Sequence, residues 1–272
     1  MQRREFVRQA SAILLLLQSG EWRRLSSLPE DDSRQRLLRF SIASDGHYGQ
    51  PNTDYHRFLT DLVSRVNEEH RQKPFDFCVI NGDLVHDDKR FYPELKKGLD
   101  QLLPRYYVSQ GNHDHVNAEE WEQIWKMPVN LDFRIHRHSV LIGTTSDEKG
   151  SYLCPDLTWF SRKLEEHRSQ RNIFVFIHIN PVKQTANAVD CPAFFDLLGK
   201  YPNVRAVFNG HDHDQDDIKM KGAVPFIFDA HYGGSWGTAY RGFRVVELHK
   251  DNSLLTYILN PTERIGEQKI PL

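Results

Sequence analysis

From Leu37 onward the chain alternates short apolar runs with longer stretches in which apolar residues recur every three to four positions, the rhythm of strands feeding helices. The run at 37–43 reads as the first strand. Over 55–69 the residues Phe58, Leu59, Leu62, Val63 and Val66 share one helical face, and Pro74 stops the helix. A strand at 77–81 follows, then a helix over 92–103 closed by Pro104, a strand at 106–109, a helix over 118–126 and a strand at 140–144. The helix over 155–167 opens on Pro155, whose missing N–H costs nothing in a first turn. The most apolar strand is 173–177, and a helix over 191–198 leads to a strand at 204–208. Beyond residue 215 the pattern changes to short strands (218–221, 225–228, 243–248, 254–259) separated by turn residues. That change predicts a second, largely antiparallel sheet beside the first. The chain therefore divides into an N-terminal segment with its linker (1–36), an α/β body (37–262) and a C-terminal tail (263–272).

Composition narrows the classes of function. Hydrophobic residues make up 39% of the 272, enough for a sizeable core. Lys and Arg number 35 against 37 Asp and Glu, so the basic excess that nucleic-acid binding exploits is missing and no nucleic-acid partner is expected. The longest uninterrupted apolar run, 12–17, is far short of the roughly 20 residues that span a bilayer, so stable membrane insertion is not expected. Three cysteines, Cys78, Cys154 and Cys191, are widely spaced and suggest neither a disulfide framework nor a zinc ribbon. Cys78, inside the apolar run 77–80, reads as a small buried hydrophobe. The pair Arg3-Arg4, followed by Phe6 and an apolar stretch over 10–17, matches a twin-arginine export signal. It places the protein in the periplasm or outside the cell. The competing reading is an amphipathic helix on a cytoplasmic protein, and no Ala-x-Ala cleavage site follows.

The polar residues that stand out come directly after strands, where α/β folds place their sites. They are Asp45-Gly46-His47, Gly82-Asp83, Gly111-Asn112-His113-Asp114, His178 and Gly210-His211-Asp212-His213. Each block alone is ordinary: Asn and Asp favour turns and caps, and a histidine after an apolar strand can be a bonded core residue. Five such blocks in order, each at a strand end, point to a two-metal centre. Mixed carboxylate and imidazole suit Mn, Fe or Zn, a shared carboxylate can bridge two cations, and the Asn112 amide oxygen ligates without adding charge.

This ordered series resembles the calcineurin-like metallophosphoesterase family over about residues 38–260. The resemblance implies a four-layer αββα sandwich, two mixed β-sheets flanked by helices. It also implies two divalent ions, one held by Asp45, His47 and His213, the other by Asn112, His178 and His211, with Asp83 bridging. His113 would be the general acid beside the leaving group, and a hydroxide between the metals the nucleophile attacking phosphorus. The implied substrate is a small phosphate ester. A phosphodiester is favoured, since the block pattern is similar to class III cyclic nucleotide phosphodiesterases. The alternatives are a phosphomonoesterase of the same fold and a non-catalytic metal-binding scaffold.

Two departures from family patterns bear on the pocket. Three residues after Asp83, where phosphoprotein phosphatases carry an aspartate and purple acid phosphatases a tyrosine ligand, stands His86, followed by Asp87 and Asp88. Asp87 or Asp114 is thus expected to orient His113, with Asp114 counted beside it as catalytic. Where many relatives read His-His-Pro-Pro, this chain reads His178-Ile179-Asn180-Pro181. Tyr48, His86, His115, Asn117, Asn180 and the aromatic loop 231–236, Trp236 above all, are candidate substrate contacts by proximity to the ligands.

Overall fold

The computed structural model describes residues 36–260 and 263–271. The twin-arginine pattern and the apolar run of the N-terminal segment lie outside the described residues. Strand β1 (Arg36–Ala43) leads through helix α1 (Tyr55–Gln72) to β2 (Phe77–Asn81), and α2 (Tyr92–Leu99) leads to β3 (Tyr106–Ser109). Helix α3 (Ala118–Trp125) precedes the hairpin of β4 (Leu131–Ile135) and β5 (His138–Gly143). Then follow α4 (Leu157–Glu166), β6 (Asn172–Ile177), α5 (Pro192–Leu198), β7 (Val204–Asn209), β8 (Ile218–Lys221) and β9 (Val224–Phe228). The chain closes with β10 (Phe243–His249), β11 (Ser253–Leu259) and β12 (Arg264–Pro271).

Two six-stranded mixed sheets result, ordered β12-β11-β10-β1-β2-β3 and β4-β5-β6-β7-β9-β8. In the first, β1, β2 and β3 run parallel and β10, β11 and β12 antiparallel. In the second, β5, β6, β7 and β9 run parallel, with antiparallel β4 and β8 at the edges. Strand alternation sorts the side chains into layers. Leu38, Phe40, Ile42, Phe77 and Val79 of the first sheet meet Val140, Ile142, Phe174, Phe176 and Phe208 of the second in one buried cluster. Ala43, Cys78, Ile80 and Val108 face the other way, onto Leu59, Leu62, Leu95, Leu99, Trp121 and Trp125 of the helices. The second sheet's outer face (Ile173, Val175, Ile177, Val207) packs on Phe160, Leu164, Phe194 and Leu198. This is the four-layer sandwich. Strand β6 is buried on both faces, hence its unbroken apolar sequence. Phe40 stacks on Phe77 at 4.8 Å in the middle layer, and truncating such a ring to alanine costs about 3–5 kcal/mol.

The structure departs from the pattern in four places. The short strands after residue 215 do not make a sheet of their own: β8 and β9 extend the second sheet, while β10 and β11 join the first. Local alternation identifies a strand but carries no information on which sheet it joins. Strand β4 was not anticipated, although Leu131, Phe133 and Ile135 alternate with Asp132 and Arg134. The segment expected to be a tail is the edge strand β12, paired to β11. Finally, Cys154 and Cys191 form a disulfide across 37 residues, while Cys78 is free and buried as expected. The bond joins the loop before α4 to the residue capping α5, neighbours only once both helices lie on the second sheet. No helix among the described residues is long and apolar enough to cross a membrane.

Candidate metal centre

Parallel strands deliver their C-terminal loops to one edge, and the loops of both sheets are laced together there. The Asp45 N–H donates to Gly82 O (3.1 Å), the His47 N–H to Asp83 O (3.0 Å), and the His211 N–H to Asp45 Oδ2 (2.9 Å). Asp45, His47, Asp83 and His211 all hold left-handed backbone, with φ of 58°, 43°, 49° and 69°. Non-glycine residues persist there only where their surroundings impose it, and such positions cluster at functional sites. At Gly82 (φ 83°) a Cβ would stand 2.3 Å from His178 Nδ1, so only glycine lets the two loops close.

The side chains gather into two groups, each able to hold a cation. In one, Asp45, His47 and His213 are all buried, with His47 Nε2 3.0 Å from His213 Nε2 and His213 Nε2 3.1 Å from Asp45 Oδ1. The other contains Asp83, His178 and His211. Asp83 faces both: its Oδ2 is 3.6 Å from His47 Nε2 and 3.1 Å from His178 Nε2, while its Oδ1 accepts from the His113 N–H at 2.9 Å. The outward ring nitrogens set the tautomers. His178 Nδ1 donates to Asn81 O (2.7 Å) and His213 Nδ1 to Trp236 O (3.1 Å), which turns each Nε2 inward. Asn112 Oδ1, His178 Nε2 and His211 Nε2 are buried without a hydrogen-bond partner; the close approach of Asp83 to His178 lacks hydrogen-bond geometry. Orphaned polar atoms are costly in a protein interior, and the Nε2 atoms of His178 and His211, grouped with Asp83, are what a bound cation would satisfy. These residues therefore fit a divalent metal centre.

The electrostatics agree. Burial opposes charge on His178, yet the Asp83 and Asp45 carboxylates outweigh it and push His178 up to about 10. Burial would raise Asp45, but His213 and His178 hold it well below the usual carboxylate range. Two buried carboxylates thus demand positive charge. Burial pulls His47 down to about 3, keeping it neutral as a ligand must be.

Beside the centre, His113 Nδ1 meets Asp87 Oδ1 at 2.6 Å, and His115 Nε2 meets the same oxygen at 3.1 Å. Asp87 is thus the orienting carboxylate. Asp114, the other candidate, turns away: its oxygens accept from the N–H groups of Leu84 (2.9 Å), Val85 (3.1 Å) and Gly111 (2.7 Å), tying the second and third loops together. Burial and the nearby Asp83 push Asp114 up to about 7. His86 Nδ1 lies 3.0 Å from His47 Nδ1, and its ring stacks on His113 at 5.1 Å. His47, His86 and His113 form a third cluster of metal-ligating type.

Other pocket candidates have structural partners instead. Tyr48 is buried, its hydroxyl 2.8 Å from His56 Nδ1 and its ring packed on Tyr55 and Phe91, away from the centre. Asn180 is fully buried and braces its loop through Val182 N, Gln184 and Asn209. Asn117 caps α3, exchanging bonds with Glu120. Trp236 does stand at the centre, stacked on His213 at 4.3 Å and 44% exposed. Tyr152, unnoticed in the sequence because no motif marks it, is 46% exposed and edge-on to His211 at 5.0 Å.

Comparison with known proteins follows the same lines. Over 192 residues the chain is 31% identical to the probable glycerophosphodiester phosphodiesterase GpdQ of Arcobacter nitrofigilis, covering 63% of this chain and 68% of that protein. It is 24% identical over 210 residues to the 3',5'-cyclic adenosine monophosphate phosphodiesterase CpdA of Escherichia coli K12, covering 69% and 75%. A dimetal phosphatase from Danio rerio shares the fold at a TM-score of 0.66 and 13% identity, over 87% of this chain and 99% of that one. The Plasmodium inner-membrane-complex anchor GAP50 shares it at 0.62 and 15%, over 86% and 89%. The family model of the calcineurin-like phosphoesterases matches residues 38–215, and the chain belongs to that family.

Proposed function

We propose that this protein is a dinuclear metal-dependent hydrolase of small phosphate esters that prefers phosphodiesters. The observation that carries the reading is the Asp83–His178–His211 group beside the Asp45–His47–His213 group, with Asp83 facing both and the Nε2 atoms of His178 and His211 buried without a partner. Asp45, His47 and His213 would hold one ion and Asn112, His178 and His211 the other, shared through Asp83. Divalent ions of the Mn, Fe or Zn type would make water nucleophilic at neutral pH and neutralise charge on the phosphoryl oxygens. His113, aligned by Asp87, delivers a proton to the departing alkoxide.

The diester preference is supported by the relatives named as phosphodiesterases. Export is supported by the Arg3-Arg4 pattern and by the Cys154–Cys191 disulfide, a bond that persists in oxidising compartments.

Hydrolysis of bis-p-nitrophenyl phosphate against p-nitrophenyl phosphate, with Mn and with chelator, tests the reading. Chelator-sensitive turnover favouring the diester is expected. Faster turnover of the monoester overturns the preference, and chelator-resistant turnover overturns the metal centre.

A further inference from the structure

Three of the five large apolar side chains that the described residues leave exposed, Tyr152, Leu153 and Trp236, belong to two segments flanking the centre. They stand over different metal groups. Trp236 lies flat on His213 (4.3 Å, 7° between planes) and 4.8 Å from His47, so it borders the group completed by Asp45. Tyr152 meets His211 edge-on at 5.0 Å and borders the group completed by Asp83.

The backbone on both sides is anchored. The Trp236 carbonyl accepts from His213 Nδ1 (3.1 Å), and at Gly237 a Cβ would stand 2.4 Å from His213 Cβ, so this loop is seated on the ligand. On the other side, the Leu153 N–H donates to Thr145 O (2.8 Å), and Cys154, two residues after Tyr152, is bonded to Cys191. Aromatic surface open to solvent on both sides of a polar centre is available to stack on a ligand.

We infer that Trp236 and Tyr152 are two platforms receiving the organic substituents on either side of the substrate phosphorus, and that the preferred substituent is a flat aromatic group of the nucleoside class. The inference rests on the phosphodiester reading above and names its substrate class. Two platforms, one over each metal group, match a phosphate bearing a substituent at both ends. Base–aromatic stacking tolerates any base, because every base has a π-face.

The test compares two diesters with the same leaving group, thymidine 5'-p-nitrophenyl phosphate and methyl p-nitrophenyl phosphate, on the Mn-loaded full chain. The ratio of their kcat/KM values is expected to fall about tenfold in Trp236→Ala and about threefold in Tyr152→Ala, mainly through KM of the thymidine diester. Trp236→Phe should restore most of the ratio, and metal content should be unchanged. Losses that leave the ratio at the wild-type value show the rings acting only through the metal ligands and overturn the inference. If wild type cleaves neither diester, the phosphodiesterase reading fails, and equilibrium dialysis of the thymidine diester decides for the platforms. Binding weakened about tenfold by Trp236→Ala upholds them; equal binding, or none to wild type, overturns them.

Discussion

Asp87 Oδ1 lies 2.6 Å from His113 Nδ1, a hydrogen-bond contact reaching from the second loop of the first sheet to the third. It fixes the His113 tautomer so that Nε2 faces away from the carboxylate. Replacing Asp87 with Asn keeps size but removes the charge and the defined acceptor. We expect kcat to fall about 10- to 100-fold with metal content at the wild-type level, the usual cost of losing an outer partner. Steady-state kinetics with metal analysis checks this; unchanged kcat would show that His113 needs no orienting group.

Removal of His113 itself separates enzyme from scaffold. His113→Ala should lower kcat about 10²- to 10⁴-fold while metal content stays at the wild-type level. A protein that turns over as before does not use this imidazole.

The disulfide makes a separate prediction. A crosslink enclosing a loop of 37 residues stabilises the fold by about 4 kcal/mol in the chain-entropy picture. Cys191→Ser, or reduction by a phosphine, should lower the free energy of unfolding in urea by an amount of that order. Identical unfolding curves for oxidised and reduced protein would show that the bond does not stabilise the fold.

Stability should also fall on acidification for a reason remote from the centre. His138 on β5 is buried against Asn172, and burial with the nearby Arg171 pushes it down to about 4. A histidine depressed in the folded state binds its proton first in the unfolded chain. Its contribution is therefore complete above about pH 6.5 and lost as pH falls toward 4. After allowance for solvent screening, the loss is about 2 kcal/mol. His138→Gln should flatten unfolding free energy across that window; an unchanged slope would assign the acid sensitivity elsewhere.

The residues show what a sequence can and cannot reveal here. The side chains that gather at the candidate metal centre were legible because each follows a strand directly, so chain order carries their convergence. The helical face of α1 was legible from its period. Asp114 misled because it neighbours His113 in sequence while its carboxylate turns to the amides of Leu84, Val85 and Gly111. Tyr152 and the Cys154–Cys191 bond were hidden because their partners, His211 and a capping position on α5, become neighbours only through packing on the second sheet. The allocation of β8 to β12 between sheets depends on the same long-range pairing.

Mn(II) titration followed by electron paramagnetic resonance tests the shared centre most directly. Two ions per chain with an exchange-coupled signal are expected, with coupling lost in Asp83→Asn. One ion per chain, or two uncoupled ions, would contradict a centre bridged by Asp83.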